Sequence, residues 1–217
     1  MGYESPMPVQ EEVIPFLLGD DNDVIALAQT GTGKTAAFGL PILQKIDVTT
    51  YHPQALVLCP TRELCLQIAD DLNDYSKYID NLKVLPVYGG SSIESQIKTL
   101  KRGVHVVVAT PGRLLDLMNR KTVDLSLVKN VIMDEADEML NMGFTDSINA
   151  ILAEVPENRN MLLFSATMPK EIANITKKYM KNPKEIVIGN KNEGNKNIRD
   201  IYYMVQARDK YLARKRI

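Results

Sequence analysis

Seven short apolar runs, separated by segments of helical periodicity, constrain the fold of this chain more than any other feature of its sequence. The runs are rich in Val, Leu and Ile and do not alternate with polar residues, which is typical of strands buried on both faces. Because strands that alternate with helices form βαβ units, we predict an α/β fold with a mostly parallel sheet and helices on both faces. The predicted strands cover residues 24–28, 56–59, 84–87, 106–109, 131–133, 161–164 and 186–188.

The segments between these runs place apolar side chains at helical spacing. In the stripe formed by Leu64, Ile68 and Leu72, apolar residues recur every four positions, as they do on one face of an α-helix. Ser91 and Glu94 have the spacing of a capping box. We therefore predict that Ser91 caps the helix that follows it.

Composition and charge divide the chain into a large domain and the beginning of another. The 217 residues are 45% hydrophobic and 24% charged, with a net charge of −1, which alone argues against a protein that coats nucleic acid. Basic residues outnumber acidic ones after residue 190. The segment 189–197 is polar and rich in Gly and Asn, which is typical of a linker. The predicted divisions are a domain at 1–189, a linker at 190–199 and the truncated start of a second domain at 200–217.

The cysteines and the N-terminal segment favour a cytoplasmic protein. Cys59 and Cys65 are too few for a disulfide framework, so we expect them to be small buried residues in a reducing compartment. With His52 and His105 they do not have the spacing of a zinc site. The chain begins without a basic and apolar signal segment, and its apolar runs are too short to cross a membrane.

A glycine-rich run follows the first predicted strand and opens a helix. Glycines allow the backbone N–H groups of such a loop to face a phosphate chain, and the helix N-terminus adds partial positive charge. We expect Lys34 to reach the β- and γ-phosphates and the Thr35 hydroxyl to hold Mg²⁺. The predicted nucleotide-binding residues of this Walker A motif are Ala28, Gln29, Thr30, Gly31, Thr32, Gly33, Lys34 and Thr35.

An acidic cluster, Asp-Glu-Ala-Asp at 134–137, follows the fifth apolar run. Ligands of open parallel sheets lie at the carboxyl ends of the strands, so we expect these acids near the glycine-rich loop. Asp134 is predicted to be a Mg²⁺ ligand through water, and Glu135 to orient and deprotonate an attacking water. The predicted catalytic residues are Lys34, Asp134 and Glu135, and the predicted metal-binding residues are Thr35 and Asp134.

With these two motifs in this order, the sequence resembles the first RecA-like domain of the DEAD-box ATP-dependent RNA helicases over about residues 2–188. Pro-Met-Pro-Val-Gln at 6–10 resembles the Q motif, which implies that Gln10 reads adenine and selects ATP. Ser165-Ala166-Thr167 resembles motif III. In the family this motif couples the state of ATP to RNA binding, which implies a coupling role for Ser165 and Thr167 through contacts with Asp137.

Three further segments resemble motifs that line the RNA track in that family. Each follows a predicted strand, so its backbone N–H groups and hydroxyls can contact phosphate oxygens and the 2′-OH with little sequence preference. Because such a track needs few cations, the net charge of −1 does not exclude RNA. The motifs are Pro60-Thr61-Arg62-Glu63-Leu64 (motif Ia), Gly89-Gly90 and Thr110-Pro111-Gly112-Arg113 (motif Ib). The predicted RNA-contact residues are Pro60, Thr61, Arg62, Gly89, Gly90, Thr110, Pro111, Gly112 and Arg113.

Local structural roles for the same residues stay open at this point. Thr61 is also a plausible helix N-cap, and Pro111 a first-turn proline. Arg62 can alternatively pair with Glu63 or Asp70. Sequence alone does not separate these roles from RNA contact.

Two departures from the family pattern bear on activity. Gly2-Tyr3 also belongs to the segment that resembles the Q motif, and the chain has no aromatic residue well upstream of it to stack on adenine. The chain also lacks the arginine-rich motif of the second domain. Arginine fingers contribute factors of ~10³–10⁵ in related phosphoryl transfer, so we expect nucleotide binding with little or no turnover. The resemblance implies that the whole protein is a monomeric, RNA-stimulated ATPase that separates short RNA duplexes with a second RecA-like domain. The alternatives are an ATP-gated RNA clamp or scaffold, and a DNA helicase or another P-loop NTPase.

Overall fold

The computed structural model describes residues 4–19, 23–29 and 31–188, and these residues form one seven-stranded sheet. Every pairing between neighbouring strands is parallel, which confirms the predicted fold class. Thr30, the predicted linker at 190–199 and the predicted second domain at 200–217 lie outside the described residues. The strands are β1 (Val24–Leu27), β2 (Ala55–Leu58), β3 (Val84–Val87), β4 (Val106–Ala109), β5 (Asn130–Met133), β6 (Asn160–Ser165) and β7 (Lys184–Val187), in the order β3-β4-β2-β5-β6-β1-β7 across the sheet.

Burial explains why the apolar runs form strands in these places. Every residue of β1, β2, β4 and β5 is buried, as expected for strands covered on both faces. The two edge strands differ, since β3 is buried only at alternate residues and β7 only at Ile186. Pro86 is tolerated in β3 because a proline at the edge of a sheet removes no hydrogen bond that the sheet needs.

Two hydrophobic cores lie on the two faces of the sheet, and the side chains of the buried strands alternate between them. Along β1, Ile25 and Leu27 belong to one core, and Val24 and Ala26 belong to the other. The described helices cover both faces, as predicted, and none of them is long and apolar enough to cross a membrane. Helices α1 (Pro8–Gly19), α2 (Lys34–Gln44) and α3 (Arg62–Tyr75) cover one face, and α4 (Ile93–Lys101), α5 (Pro111–Asn119), α6 (Ala136–Asn141), α7 (Thr145–Glu154) and α8 (Lys170–Tyr179) cover the other.

Helices α2 and α3 pack closely because Gly39 has no side chain. A Cβ atom at Gly39 would lie 2.7 Å from Leu72 Cδ2, which is closer than real carbon atoms approach. This contact holds α3 against α2 near the sheet edge where α2 begins. In the same part of this helix pair, the Asp71 carboxylate on α3 lies near the Thr35 hydroxyl in the first turn of α2, and this hydroxyl acts to lower the pKa of Asp71.

The predicted cap of α4 is wrong by one residue. Ser92 is the N-cap: its Oγ accepts a hydrogen bond from Ser95 N–H at 3.3 Å and donates one to Glu94 at 2.9 Å. The Ser91 hydroxyl donates instead to the Tyr88 carbonyl at 3.3 Å. Because serine can bond backbone groups three residues before it as well as three after it, spacing alone does not identify the cap.

Cys59 and Cys65 are free thiols in the core, as predicted. Cys65 Sγ donates to the Val108 carbonyl at 3.1 Å. The hydrogen bond with Cys65, together with burial, raises the pKa of the Cys59 thiol. Cys59 is therefore a protonated core residue and not a thiolate nucleophile.

Candidate active site

The carboxyl ends of the strands bring the sequence motifs to one edge of the sheet. Since all strands are parallel, the segment after each strand emerges at the same edge. The order across the sheet divides this edge into two halves. Strands β3, β4 and β2 carry the segments at 89–90, 110–113 and 60–64, and strands β5, β6 and β1 carry those at 134–137, 165–167 and 28–35.

The glycine-rich loop turns sharply from β1 into α2. Gly31 and Gly33 have φ angles of 80° and 81°, in the left-handed region that glycine adopts without strain. Thr32 Oγ1 donates to the Gln29 carbonyl at 2.8 Å and closes the loop. Helix α2 begins at Lys34, so the loop and the helix N-terminus together form a site suited to an anion.

Lys34 and Asp134 form a buried ion pair between this loop and the end of β5. Lys34 Nζ lies 3.5 Å from Asp134 Oδ1, and the two side chains are 7% and 4% exposed. Burial raises the pKa of Asp134 above its ordinary value, although the Lys34 charge and the Glu135 N–H act in the opposite direction. A positive charge added at this position would therefore stabilise the carboxylate.

The donor set at this edge suits Mg²⁺. Asp134 supplies a carboxylate and Thr35 a hydroxyl, and Mg²⁺ in nucleotide sites takes one or two such ligands with phosphate oxygens and water. Within the part of the chain that the structure describes, no group of three His, Cys, Asp or Glu residues is placed to hold a metal ion by itself.

Sequence reasoning missed Asp71, the carboxylate that contacts Thr35 from α3. Burial raises the pKa of Asp71, and the neighbouring Asp74 adds to this effect. A carboxylate in this position can accept a hydrogen bond from the Thr35 hydroxyl, whose oxygen lone pairs then stay available to a cation. The only signal in the sequence was an acid beside an apolar stripe, and that signal does not reveal which helix lies opposite.

Glu135 has a strained backbone conformation between β5 and α6. Its φ and ψ angles are 50° and 49°, in the left-handed region that costs a residue with a side chain about 1–2 kcal/mol. The residue precedes the first turn of α6 and follows the buried Asp134 directly. Strain of this kind is concentrated at functional sites, where the surrounding structure enforces it.

The segments at 134–137 and 165–167 are joined by hydrogen bonds. Asp137 Oδ2 accepts hydrogen bonds from the Thr167 N–H at 3.0 Å and from the Thr167 hydroxyl at 2.8 Å. The buried Ser165 donates to the Thr167 carbonyl at 2.7 Å and fixes the turn after β6. These are the three predicted coupling residues, and the structure brings them into one network.

Gln10 is buried against the glycine-rich loop. Its Nε2 donates to the Gly33 carbonyl at 3.1 Å, and its Oε1 accepts from the Met7 N–H at 2.9 Å. A glutamine amide has two donor hydrogens and two acceptor lone pairs, so one of each is left over. Gln10 therefore ties α1 to the loop and retains the groups that a base edge needs.

On the other half of the edge, Thr61 and Arg62 have clear structural contacts. Thr61 Oγ1 accepts from the Leu64 N–H at 3.2 Å and caps α3, one of the alternatives left open above. The Arg62 guanidinium lies 4.9 Å from the centre of the Tyr88 ring, a cation–π distance. Arg62 forms no ion pair with Glu63 or Asp70, which are both among the described residues, so that alternative is wrong.

Arg113 is connected to the segment that follows Gly89-Gly90. Its Nη1 and Nη2 donate to the Ser91 carbonyl at 3.1 and 3.2 Å, and Nη1 also donates to Gln96 Oε1 at 3.1 Å. Gln96 is buried and donates in turn to Tyr88 O at 3.1 Å. Sequence reasoning missed Gln96, whose signal is a polar residue within the apolar face of α4.

Pro111 occupies the first turn of α5, which is the structural role that the sequence left open for it.

Comparison with known proteins agrees with this geometry. Residues 7–175 match the family model described as DEAD/DEAH box helicase. The chain is 51% identical to the ATP-dependent RNA helicase DeaD of Mycobacterium tuberculosis over 205 residues, which are 94% of this chain and 36% of that relative. It is 48% identical to the DEAD-box ATP-dependent RNA helicase CshA of Bacillus cereus over 211 residues, 97% of this chain and 40% of that one.

Solved structures give the same result. A DEAD box protein from the hyperthermophile Methanococcus jannaschii superposes with a TM-score of 0.82 at 43% identity, covering 99% of this chain and 57% of the other. A hypothetical ATP-dependent RNA helicase from Sulfolobus tokodaii superposes with a TM-score of 0.78 at 44% identity, covering 87% of this chain and 54% of the other. The chain thus spans little more than a third of the curated relatives' length. The matched motifs, the parallel sheet and these likenesses show that the chain belongs to the DEAD/DEAH box helicase family.

Proposed function

We propose that this chain is the nucleotide-binding domain of an ATP-dependent RNA helicase, which works with a second RecA-like domain. The observation that carries the proposal is the contact of Lys34 with Asp134 at 3.5 Å across the sheet edge. This contact joins the glycine-rich loop to the acidic motif, and both lie at the same edge of the sheet as the segments that resemble RNA-binding motifs. The second domain is supported by the chain's coverage of about a third of the curated relatives.

In this proposal the phosphates of ATP lie on the loop at 28–35, and Lys34 moves from Asp134 to the β- and γ-phosphates. Bound Mg²⁺ would neutralise charge that develops on the transferred phosphoryl group. Asp134, through water, and the Thr35 hydroxyl would hold the cation, and Asp71 lies beside that hydroxyl. Glu135 orients the attacking water and accepts its proton.

Gln10 supplies the specificity for adenine. Its unused amide hydrogen and lone pair match the donor and acceptor edge of adenine, while the other pair stays bonded to Gly33 and Met7. Because the same side chain touches the phosphate loop, the base and the phosphates are bound by a single connected unit. Guanine presents its O6 acceptor where adenine presents its N6 amino donor, so guanine is rejected.

RNA is bound along the other half of the edge through its sugar-phosphate chain. Helix α3 and helix α5 begin there with the segments at 60–64 and 110–113, so free N–H groups and hydroxyls can meet phosphate oxygens. Asp137, Ser165 and Thr167 couple the two halves.

The buried free thiols Cys59 and Cys65 support a reducing, cytoplasmic location, and we expect a monomer.

Nucleotide binding is tested by titrating a fluorescent ADP analogue, with Mg²⁺, into the wild-type chain and the Lys34→Ala variant. We expect Lys34→Ala to abolish binding, because it removes the charge that faces the phosphates. Lys77→Ala is the matched control, since Lys77 is exposed at the end of α3 and far from the loop in sequence. Undiminished binding by Lys34→Ala would overturn the assignment of the loop.

Catalysis is tested in the full-length protein, because the isolated chain is expected to hydrolyse ATP barely, if at all. Glu135→Gln should retain ATP binding and lose RNA-stimulated phosphate release. Retained turnover would remove Glu135 from the role of base. RNA-stimulated release by this 217-residue chain at the rate of the full-length enzyme would contradict the need for a second domain.

A further inference from the structure

A concave site lies at the edge of the sheet opposite the glycine-rich loop. It is a cavity of about 550 Å³ at the amino ends of β5 and β6 and the carboxyl end of α2. Strands of four residues rise about 3.3 Å per residue, so ~13 Å or more of sheet separates this cavity from the nucleotide motifs. Its polar lining includes the cations Lys45, Lys129, Arg159 and Lys181 and the amides of Asn158 and Asn160.

The lining of this cavity is cationic. It includes three lysines and one arginine, with amide side chains between them, and no carboxylate. Helix α2 ends at this edge, and the carboxyl end of a helix carries a partial charge of about −0.5. The three positive charges of Lys129, Arg159 and Lys181 alone exceed that partial charge several-fold, so the cavity attracts anions.

Two described carboxylates near these cations, Asp23 and Asp47, accept hydrogen bonds from other groups. Asp23 lies close enough to Arg159 and Lys181 to feel their charge, but its oxygens accept the backbone N–H groups of Met161 and Lys181. Asp47, which is near Lys129, accepts from the Thr49 hydroxyl at 2.6 Å and N–H at 2.9 Å. Neither acid forms an ion pair with Lys129, Arg159 or Lys181. The Lys181 ammonium donates to a neutral acceptor, the Glu157 carbonyl, at 2.9 Å and so keeps its full charge.

Arg159 is held in place but has hydrogen-bonding capacity left. Its Nη1 donates to the Pro156 carbonyl at 2.8 Å, and the guanidinium lies 5.9 Å from the centre of the Tyr179 ring. Its Nε is buried and finds no acceptor among the described residues. A pre-positioned guanidinium with amide and ammonium donors beside it is the donor set that phosphate oxygens require.

We propose that this cavity binds a phosphate group, supplied either as free phosphate or by the backbone of an RNA chain. The site is separate from the one that binds the phosphates of ATP, because the two lie at opposite edges of the sheet. The proposal goes beyond the proposed helicase function and does not rest on it, since the cations that line this cavity are separate from the residues proposed to bind nucleotide and RNA. A ligand here would contact Lys129, Arg159 and Lys181.

The test is a titration of the isotope-labelled chain with inorganic phosphate, followed by backbone amide NMR shifts. We expect saturable shifts at Lys129, Asn160 and Lys181, distinct from any shifts at the glycine-rich loop. In the Lys129→Ala/Lys181→Ala variant the Kd at this edge should rise at least about tenfold, because two charge-assisted contacts are lost. The control Lys77→Ala/Lys98→Ala, which removes the same charge from exposed positions elsewhere, should leave the Kd unchanged.

A second variant and a second probe complete the test. Arg159→Lys keeps the charge but loses the guanidinium fork, so it should also weaken phosphate binding. A short oligouridylate that shifts the same amides, and loses this effect in Lys129→Ala/Lys181→Ala, identifies RNA as the source; shifts with phosphate alone identify the free anion. Shifts confined to the loop, or reproduced by chloride at equal ionic strength, would overturn the proposal.

Discussion

The contact between Gly33 and Gln10 gives the sharpest quantitative prediction. A Cβ atom at Gly33 would lie 2.5 Å from Gln10 Nε2 and 3.2 Å from Met7 Cγ. The Gly33→Ala variant must therefore displace the Gln10 amide, besides placing alanine at a φ of 81°. Gly31 has nearly the same φ, at 80°, but its added Cβ would meet nothing within 4 Å. Gly31→Ala is thus a control that has the backbone strain without the clash.

The two costs can be separated by magnitude. Left-handed backbone costs alanine about 1–2 kcal/mol at either glycine. Displacing the Gln10 amide breaks its bonds to Gly33 and Met7, each contributing about 0.5–1.5 kcal/mol. We therefore expect Gly33→Ala to lower the free energy of unfolding by about 1–3 kcal/mol more than Gly31→Ala does. In a domain of this size each kcal/mol lowers Tm by about 2–4 °C.

The assay is urea denaturation without nucleotide, for both glycine variants alone and combined with Gln10→Ala. In the Gln10→Ala background most of the excess cost of Gly33→Ala should disappear, because the amide it displaces is already absent and only the 3.2 Å contact with Met7 Cγ remains. The reasoning is refuted if Gly33→Ala and Gly31→Ala cost the same. It is also refuted if the excess cost persists in full after Gln10 has been truncated.

Three further predictions concern single side chains. Glu135→Gly should be more stable than Glu135→Ala by about 1 kcal/mol in urea denaturation, since only glycine relaxes at a φ of 50°; equal stabilities would contradict the strain. Thr167→Val should cost up to about 1 kcal/mol in thermal unfolding by losing the hydroxyl bond to Asp137, while Thr167→Ser should retain it. Burial lowers the pKa of His105, whose Nδ1 accepts a hydrogen bond from the Lys83 N–H at 3.0 Å. The contribution of His105 to the free energy of unfolding should therefore be full above pH ~6.5 and decline as the pH falls below that value. Urea denaturation between pH 5 and 8 should show this decline in the free energy of unfolding of the wild type, and a weaker decline in that of His105→Asn.

Features that depend on neighbours in the chain were predictable from sequence. The seven strands were recognisable because a strand covered on both faces needs a continuous apolar run. Contacts between distant segments were not predictable. Gln96 matters because Arg113 reaches it from another helix, and Asp71 matters because Gly39 lets α3 approach α2. Nothing near either residue in the sequence indicates its partner.

By itself, the sequence determined the α/β class, the glycine-rich turn and the acidic motif, because periodicity, glycine conformation and charge act over a few residues. Only the tertiary structure decided the strand order, since that order depends on which distant strands pair to bury both faces of the sheet. In that order β6 lies between β5 and β1. Lys34 therefore reaches Asp134 across β6, whose own end brings Thr167 to Asp137. The same order leaves the three segments similar to an RNA track side by side on the other half of the edge.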